Sequence, residues 1–410
     1  MLFSMLQEAV RAGASRPAFV ASHSRSSYRQ IWKSTVGLAA RLRECGVVPG
    51  SHVALLTDDA MEFATGIFAA ASLGAVVVLG SVDSQSGNVG GRSITPDVDF
   101  ALVPRDAAPL VVRRECGASI TSVPISCDEF VPARVRQPRL HQMGPFVAEC
   151  RGGSLAVVRH QANLVHEAKG VVRAVGLDAE DRIVCTLPFE QSPGLCVGLL
   201  AAVRARAALA WCPCDSPEAI EATLARVRPT VLVTDCATLS CHIAHWPSLR
   251  QHLDGVRLTL APRSELLPHV LEVRASVPGK FMTFYHRPET GVIALNSHTG
   301  AADCAGLPLP GVKIVVERIW SSAVAGSVRS QSFGSFLQLR SDPHLSGDGW
   351  SEVTEPGVPG RIVVHSPAAS PTATHNGRCY TSDRGYLDAS GNLHILSEAS
   401  SAAMPRARSA

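Results

Sequence analysis

The chain has 410 residues, 46% hydrophobic and 18% charged, which is enough apolar material for a folded globular protein with a sizeable core, in one large or two to three smaller units. Its 38 Lys and Arg residues against 35 Asp and Glu leave a formal charge of +3 with no long basic run, so neither nucleic acid nor an acidic membrane is implied as a partner. Twelve scattered cysteines form no CxxC, and the closest pair, Cys212 and Cys214, has neither zinc-site nor redox spacing, so a reducing cytoplasm is the expected compartment.

In chain order, Gln7, Glu8 and Arg11 break the apolar pattern of the first residues, which suits an amphipathic helix and not a secretory core. Helical periodicity follows over Gln30 to Arg43 and Ala60 to Leu73, with a short strand pattern at Val53 to Leu56 between them and another at Ala75 to Leu79. Further strands are predicted at Phe100 to Val103, Arg182 to Cys185, Val231 to Val233, Leu258 to Leu260 and Phe281 to Phe284, with helices at Pro217 to Val227 and Leu266 to Ala275. The longest apolar stretch, Gly194 to Val203, is too short to span a bilayer, so no membrane span is expected. Strands alternating with helices predict an α/β fold of layered subdomains over residues 1–305.

Beyond Gly306 the texture changes to short extended runs, Val312 to Val316, Arg361 to His365 and Leu393 to Leu396, separated by Gly, Ser and Pro. Residues 306–397 are therefore read as a small β-rich, barrel-like subdomain at the C-terminal end, with mobile loops over Ser321 to Gly349. Residues 398–410 are small and polar and predict a disordered tail.

Several segments share an order and spacing with one family. Ser27-Tyr28-Arg29-Gln30-Ile31, Gly46 to Ala54, Met61-Glu62 and Gly74 to Val78 open the series. Asn163-Leu164-Val165, Leu187-Pro188-Phe189 with Gly194-Leu195, Tyr285 with Glu289, Gly306 to Gly311, and Tyr380 to Asp388 continue it. Taken together, the chain resembles the large N-terminal domain of the AMP-forming carboxylic-acid ligases, the superfamily of acyl-CoA synthetases, adenylation domains and luciferases. That resemblance implies an acid activated through an acyl-adenylate, with ATP or AMP and Mg²⁺ as cofactors and CoA or a carrier as an undetermined acceptor.

The resemblance also assigns residues. Tyr285 falls where the family stacks adenine, although a tyrosine packed at a strand end is an equal reading. Glu289 matches the family's magnesium glutamate, against the alternative of a solvated surface acid. Asp383 falls on the ribose aspartate, whose two oxygens accept from both hydroxyls, against an Asp closing a turn. Gly152 and Gly153 are candidate nucleotide-binding residues as an anion nest, against an ordinary surface turn, while His160 and Gln161 read equally as helix-surface or functional residues.

Other family features are eroded. The Ser/Thr/Gly-rich phosphate loop ending in Pro-Lys-Gly becomes Ala148 to Ala156, with Leu155 at the lysine position, Ser154 at the proline, and anionic Glu149 where phosphate would lie. Pro288 replaces a backbone donor and restricts Arg287, and Pro262-Arg263-Ser264 replaces a glycine-rich turn. Glu398 stands at the position of the hinge arginine, and the family's C-terminal lid domain is expected to be absent. The resulting expectation is a degenerate ligase-like protein, a pseudoenzyme candidate unable to turn over alone. No catalytic residue is assigned, and the ligand would be a carboxylic acid or acyl-adenylate. Completion by a separate lid domain or carrier protein is one extension, and a non-catalytic ligand-binding or scaffolding protein is the alternative.

Overall fold

The computed structural model describes residues 1–21, 24–57, 59–79, 99–104, 121–125, 145–147, 150–151, 154–155, 157–212, 216–263, 267–297, 303–319 and 350–396. A six-stranded sheet is built first. His52–Leu55 pairs in parallel with Val76–Leu79 on one side and Phe100–Pro104 on the other, and Thr121–Ile125 extends the latter edge. Pro145–Val147 joins Val76–Leu79 in parallel and pairs antiparallel with Val158–His160.

The helix Ala60–Ser72 carries the crossover between the first two of these strands. Its start is set by Asp59, whose carboxylate accepts from the Met61 and Glu62 amides at 2.9 and 2.8 Å, satisfying two of the donors that a helix start leaves open. Asp59→Ala is expected to cost about 1 kcal/mol, read as a lower urea midpoint; an unchanged midpoint would remove the cap from the account. Tyr28–Glu44 begins with a capping box, Ser27 and Gln30 each bonding the other's backbone amide.

Among the described residues, the second sheet holds 15 strands. Its parallel part runs Pro17–Val20, Ala208–Trp211, Arg182–Cys185, Val231–Val233, Leu258–Pro262 and Lys280–Arg287 in spatial order. Residues Val231 to Val233 are buried throughout, as expected of a parallel strand covered on both faces. Helices Pro217–Val227 and Cys236–His245 close one face over Val184, Leu232 and Ala261, while Leu2–Gly13, Tyr28–Glu44 and Gln161–Val175 pack on the other.

After a tight turn, Gly291–Asn296 pairs back antiparallel with Lys280–Arg287, and the sheet continues through Cys304–Pro308, Leu393–Leu396, Arg378–Leu387, Gly360–His365, Lys313–Ile319 and Trp350–Glu352. The small barrel expected here does not form among the described residues. Cys304–Pro308 pairs with Gly291–Asn296 on one side and Leu393–Leu396 on the other, so the strands prolong the sheet and do not close on themselves. The line drawn at 305/306 falls within that shared strand. The loops expected over Ser321 to Gly349 and the tail beyond Ser397 lie outside the described residues.

Two polar residues tie the layers together. Gln161 is buried, not at the surface: its amide donates to the Ala71 carbonyl at 3.0 Å and its oxygen accepts from the Leu2 amide at 3.2 Å, docking the N-terminal helix. Arg159 is fully buried between the two sheets and forms an ion pair with Glu167. Its other donors reach the Ala368 carbonyl at 3.2 Å and the Ser192 hydroxyl at 3.1 Å. Among the described residues, no helix is long and apolar enough to cross a membrane.

Candidate functional site

The strand Lys280–Arg287 and the strand Arg378–Leu387 bring the best-matched motifs together. Tyr285 leaves the first strand and packs with Ile293, Ala305, Ile314 and Ile362, leaving 6% of its surface exposed. Its hydroxyl donates to a carboxylate oxygen of Asp383, 98 residues later in the chain. Burial first, and the Asp383 charge second, push the Tyr285 phenol above its ordinary range, so it is a hydrogen-bond donor at neutral pH.

Asp383 stands where its strand shifts register against Gly360–His365, Tyr380 pairing with Val363 and Arg384 with Arg361, so that residues 381–383 bulge opposite Ile362. Its backbone amide donates to the Thr381 hydroxyl at 3.2 Å, and that hydroxyl donates to the Ile362 carbonyl at 2.9 Å, which pins the strand beneath the carboxylate. Asp383 closes no turn. The turn belongs to Asp388, whose carboxylate accepts from the Ser390 and Asn392 amides at 2.8 and 2.9 Å. Bonds from Asn392 hold the Asp388 carboxyl down to about 2.

A further partner of Asp383, unmarked in the sequence, is Arg287. Its Nε donates to one Asp383 oxygen at 2.7 Å while a terminal nitrogen donates to the other, a two-pronged grip on the carboxylate. Asp383 keeps 16% side-chain exposure and Arg287 36%. In this arrangement the residues do not fit a ribose: both carboxylate oxygens that a diol would need already carry donors, and the tyrosine ring is packed in the core.

Glu289 lies on the turn between the paired strands, half-buried. Its carbonyl accepts from the Ser370 amide at 2.6 Å, and its charge, after burial, helps push the Cys379 thiol up to about 12. The structure thus sets Glu289 near the strand that carries Asp383. Among the described residues, no three His, Cys, Asp or Glu side chains gather as a metal-holding group. The turn is closed by Gly291 at φ +70°, where an added Cβ would come within 2.4 Å of the Glu167 carboxylate, so only glycine suits this position.

On the phosphate side, Cys150–Arg151 and Ser154–Leu155 form a two-stranded antiparallel ribbon. The nest read at Gly152 and Gly153 lies outside the described residues, as do Glu149 and Glu398. Elsewhere, a groove of 490 Å³ lined by Phe19, Met61, Leu209, Trp211 and Arg226 opens at the ends of the Pro17–Val20 and Ala208–Trp211 strands, and Tyr285, Arg287, Glu289 and Asp383 are not among its lining residues.

Comparison with solved structures decides the architecture. VinN superposes with a TM-score of 0.74 at 18% identity, over 97% of this chain and 98% of that one. The N-terminal domain of FACL13 from Mycobacterium tuberculosis gives 0.75 at 16% identity, over 97% and 99%. The fold is that of the AMP-forming ligases. The AMP-binding enzyme family model matches residues 6–116, and the o-succinylbenzoate CoA synthetase MenE of Bacillus subtilis, solved with ATP and magnesium ion, superposes at 0.70 and 17% identity over 96% of this chain and 78% of that one. No curated protein sequence matches the chain. Within this ligase fold, the Tyr285 and Asp383 positions were legible as motif residues, whereas Arg287, a charged residue ending a strand, carries no signal that separates it from a solvated one.

Proposed function

We propose that the chain is a degenerate AMP-dependent carboxylic-acid ligase-like protein of the acyl-CoA synthetase type, which does not form acyl-adenylates on its own. The observation that carries this reading is the meeting of Tyr285 and Asp383 in an AMP-forming ligase fold, at positions that resemble the family's adenine and ribose contacts. Solved chains of the same fold support the ligand class: MenE of Bacillus subtilis is described with AMP, with ATP and magnesium ion, and with an acyl-adenylate intermediate, and VinN with L-aspartate. A carboxylic acid is therefore the ligand of this reading, with a separate lid-like polypeptide or carrier protein its partner class, whereas an acyl-adenylate would need the Asp383 oxygens freed from Arg287 and Tyr285.

The phosphate side argues against turnover. Leu155 stands where the family's loop supplies lysine, and Pro288 removes a backbone donor beside Glu289. Loss of one donor to a developing charge costs about 10²–10³ in rate. With a panel of aliphatic, aryl and amino acids, the protein is expected to show no ATP–pyrophosphate exchange above the enzyme-free blank; exchange with any acid contradicts the proposal. The alternative, a non-catalytic binding or scaffolding protein, is favoured by the occupied Asp383 carboxylate.

A further inference from the structure

A carboxylate that accepts both hydroxyls of a ribose must present both of its oxygens. Asp383 presents neither freely. Arg287 ends the strand two residues after Tyr285, so both side chains leave it on the same side and converge on Asp383: the guanidinium spans both oxygens and the phenol adds a third donor. A carboxylate has about four lone-pair sites, and three are in use. Charge-assisted forks are roughly twice as strong as neutral hydrogen bonds, so neutral ribose hydroxyls would have to displace a stronger pairing to enter.

We infer that Arg287 is the specificity-determining residue of this site: by gripping both oxygens of Asp383 it excludes nucleosides from a position that otherwise keeps its ribose-accepting carboxylate. This rests on reading the meeting of Tyr285 and Asp383 as a remodelled nucleotide site. Phosphate contacts play no part in it, so the exclusion acts on adenosine as much as on ATP. Arg287 is half-exposed at a strand end, and its removal leaves Asp383 bonded to Tyr285.

The test is calorimetric titration of the full chain with adenosine and with 2′,3′-dideoxyadenosine. The unsubstituted protein is expected to give no binding heat with either. Arg287→Ala, and Arg287→Gln, which keeps the aliphatic stem, should bind adenosine at least about tenfold more tightly than the unsubstituted protein, the equivalent of one recovered hydrogen bond to a charged group. The gain should be absent with 2′,3′-dideoxyadenosine and cancelled in Arg287→Ala/Asp383→Asn. Adenosine binding by the unsubstituted protein as tight as by Arg287→Ala overturns the inference, as does a gain that survives loss of the hydroxyls or of Asp383. Folded variants that stay silent also overturn it, and with pyrophosphate exchange equally silent they leave the degenerate-ligase reading standing; exchange by the unsubstituted protein overturns that reading instead.

Discussion

Arg159→Leu is expected to destabilise the protein by about 3–5 kcal/mol, the usual cost of leaving one partner of a buried ion pair without its counter-charge. The side chain shows no exposed surface, and Glu167, its ionic partner, shows 1%. Glu167 also accepts from the Val292 amide at 2.9 Å, so the orphaned carboxylate would remain fixed in place within the core. Arg159 leaves the six-stranded sheet, Glu167 the helix Gln161–Val175, Val292 the 15-stranded sheet and Ala368 the C-terminal part of the chain. Glu167→Leu should cost a similar amount, whereas Arg159→Leu/Glu167→Leu should recover much of it, because a well-packed apolar pair often replaces a buried ion pair at no loss. Chemical denaturation of the four proteins checks this. Single substitutions that each cost under about 1 kcal/mol would show the pair to be well hydrated.

The second large effect is expected at Phe189. Its ring is fully buried, stacked on Trp211 at 4.5 Å between centroids and tilted against Phe63 at 5.6 Å. Trp211 ends a strand of the 15-stranded sheet and Phe63 belongs to the helix covering the six-stranded one, so Phe189 fills the seam between the two sheets. Phe189→Ala should cost about 3–5 kcal/mol through lost burial and the cavity left behind, and Phe189→Leu clearly less. A calorimetric melting series orders the three proteins; equal transitions for Ala and Leu would mean that the seam collapses around the gap.

These two residues also mark how far the sequence could be read. Arg182–Cys185, Val231–Val233 and Pro217–Val227 were legible to the residue because continuous apolar runs and apolar spacings of three and four are local signals that tertiary packing reinforces. Gly194–Leu200 was not, because an apolar run on all sides has no period, and it folds as a π-helix with every residue buried. Gln161 read as equally a helix-surface or a functional residue, since its partners Ala71 and Leu2 become neighbours only once the layers assemble, and nothing local in the sequence singled out Arg159, whose Ala368 partner lies 209 residues away. At the candidate site, the motif around Asp383 was visible, but its occupation by Arg287 depends on two strands pairing with others between them in the chain. The barrel was expected from strand texture alone, which does not reveal that Cys304–Pro308 has partners on both edges.

The most direct measurement is a crystal structure of the unsubstituted protein grown with millimolar AMP. The account predicts Asp383 still gripped by Arg287 and Tyr285, with no nucleotide density beside it. Ribose hydroxyls seated on the Asp383 oxygens, with Arg287 swung away, would contradict it.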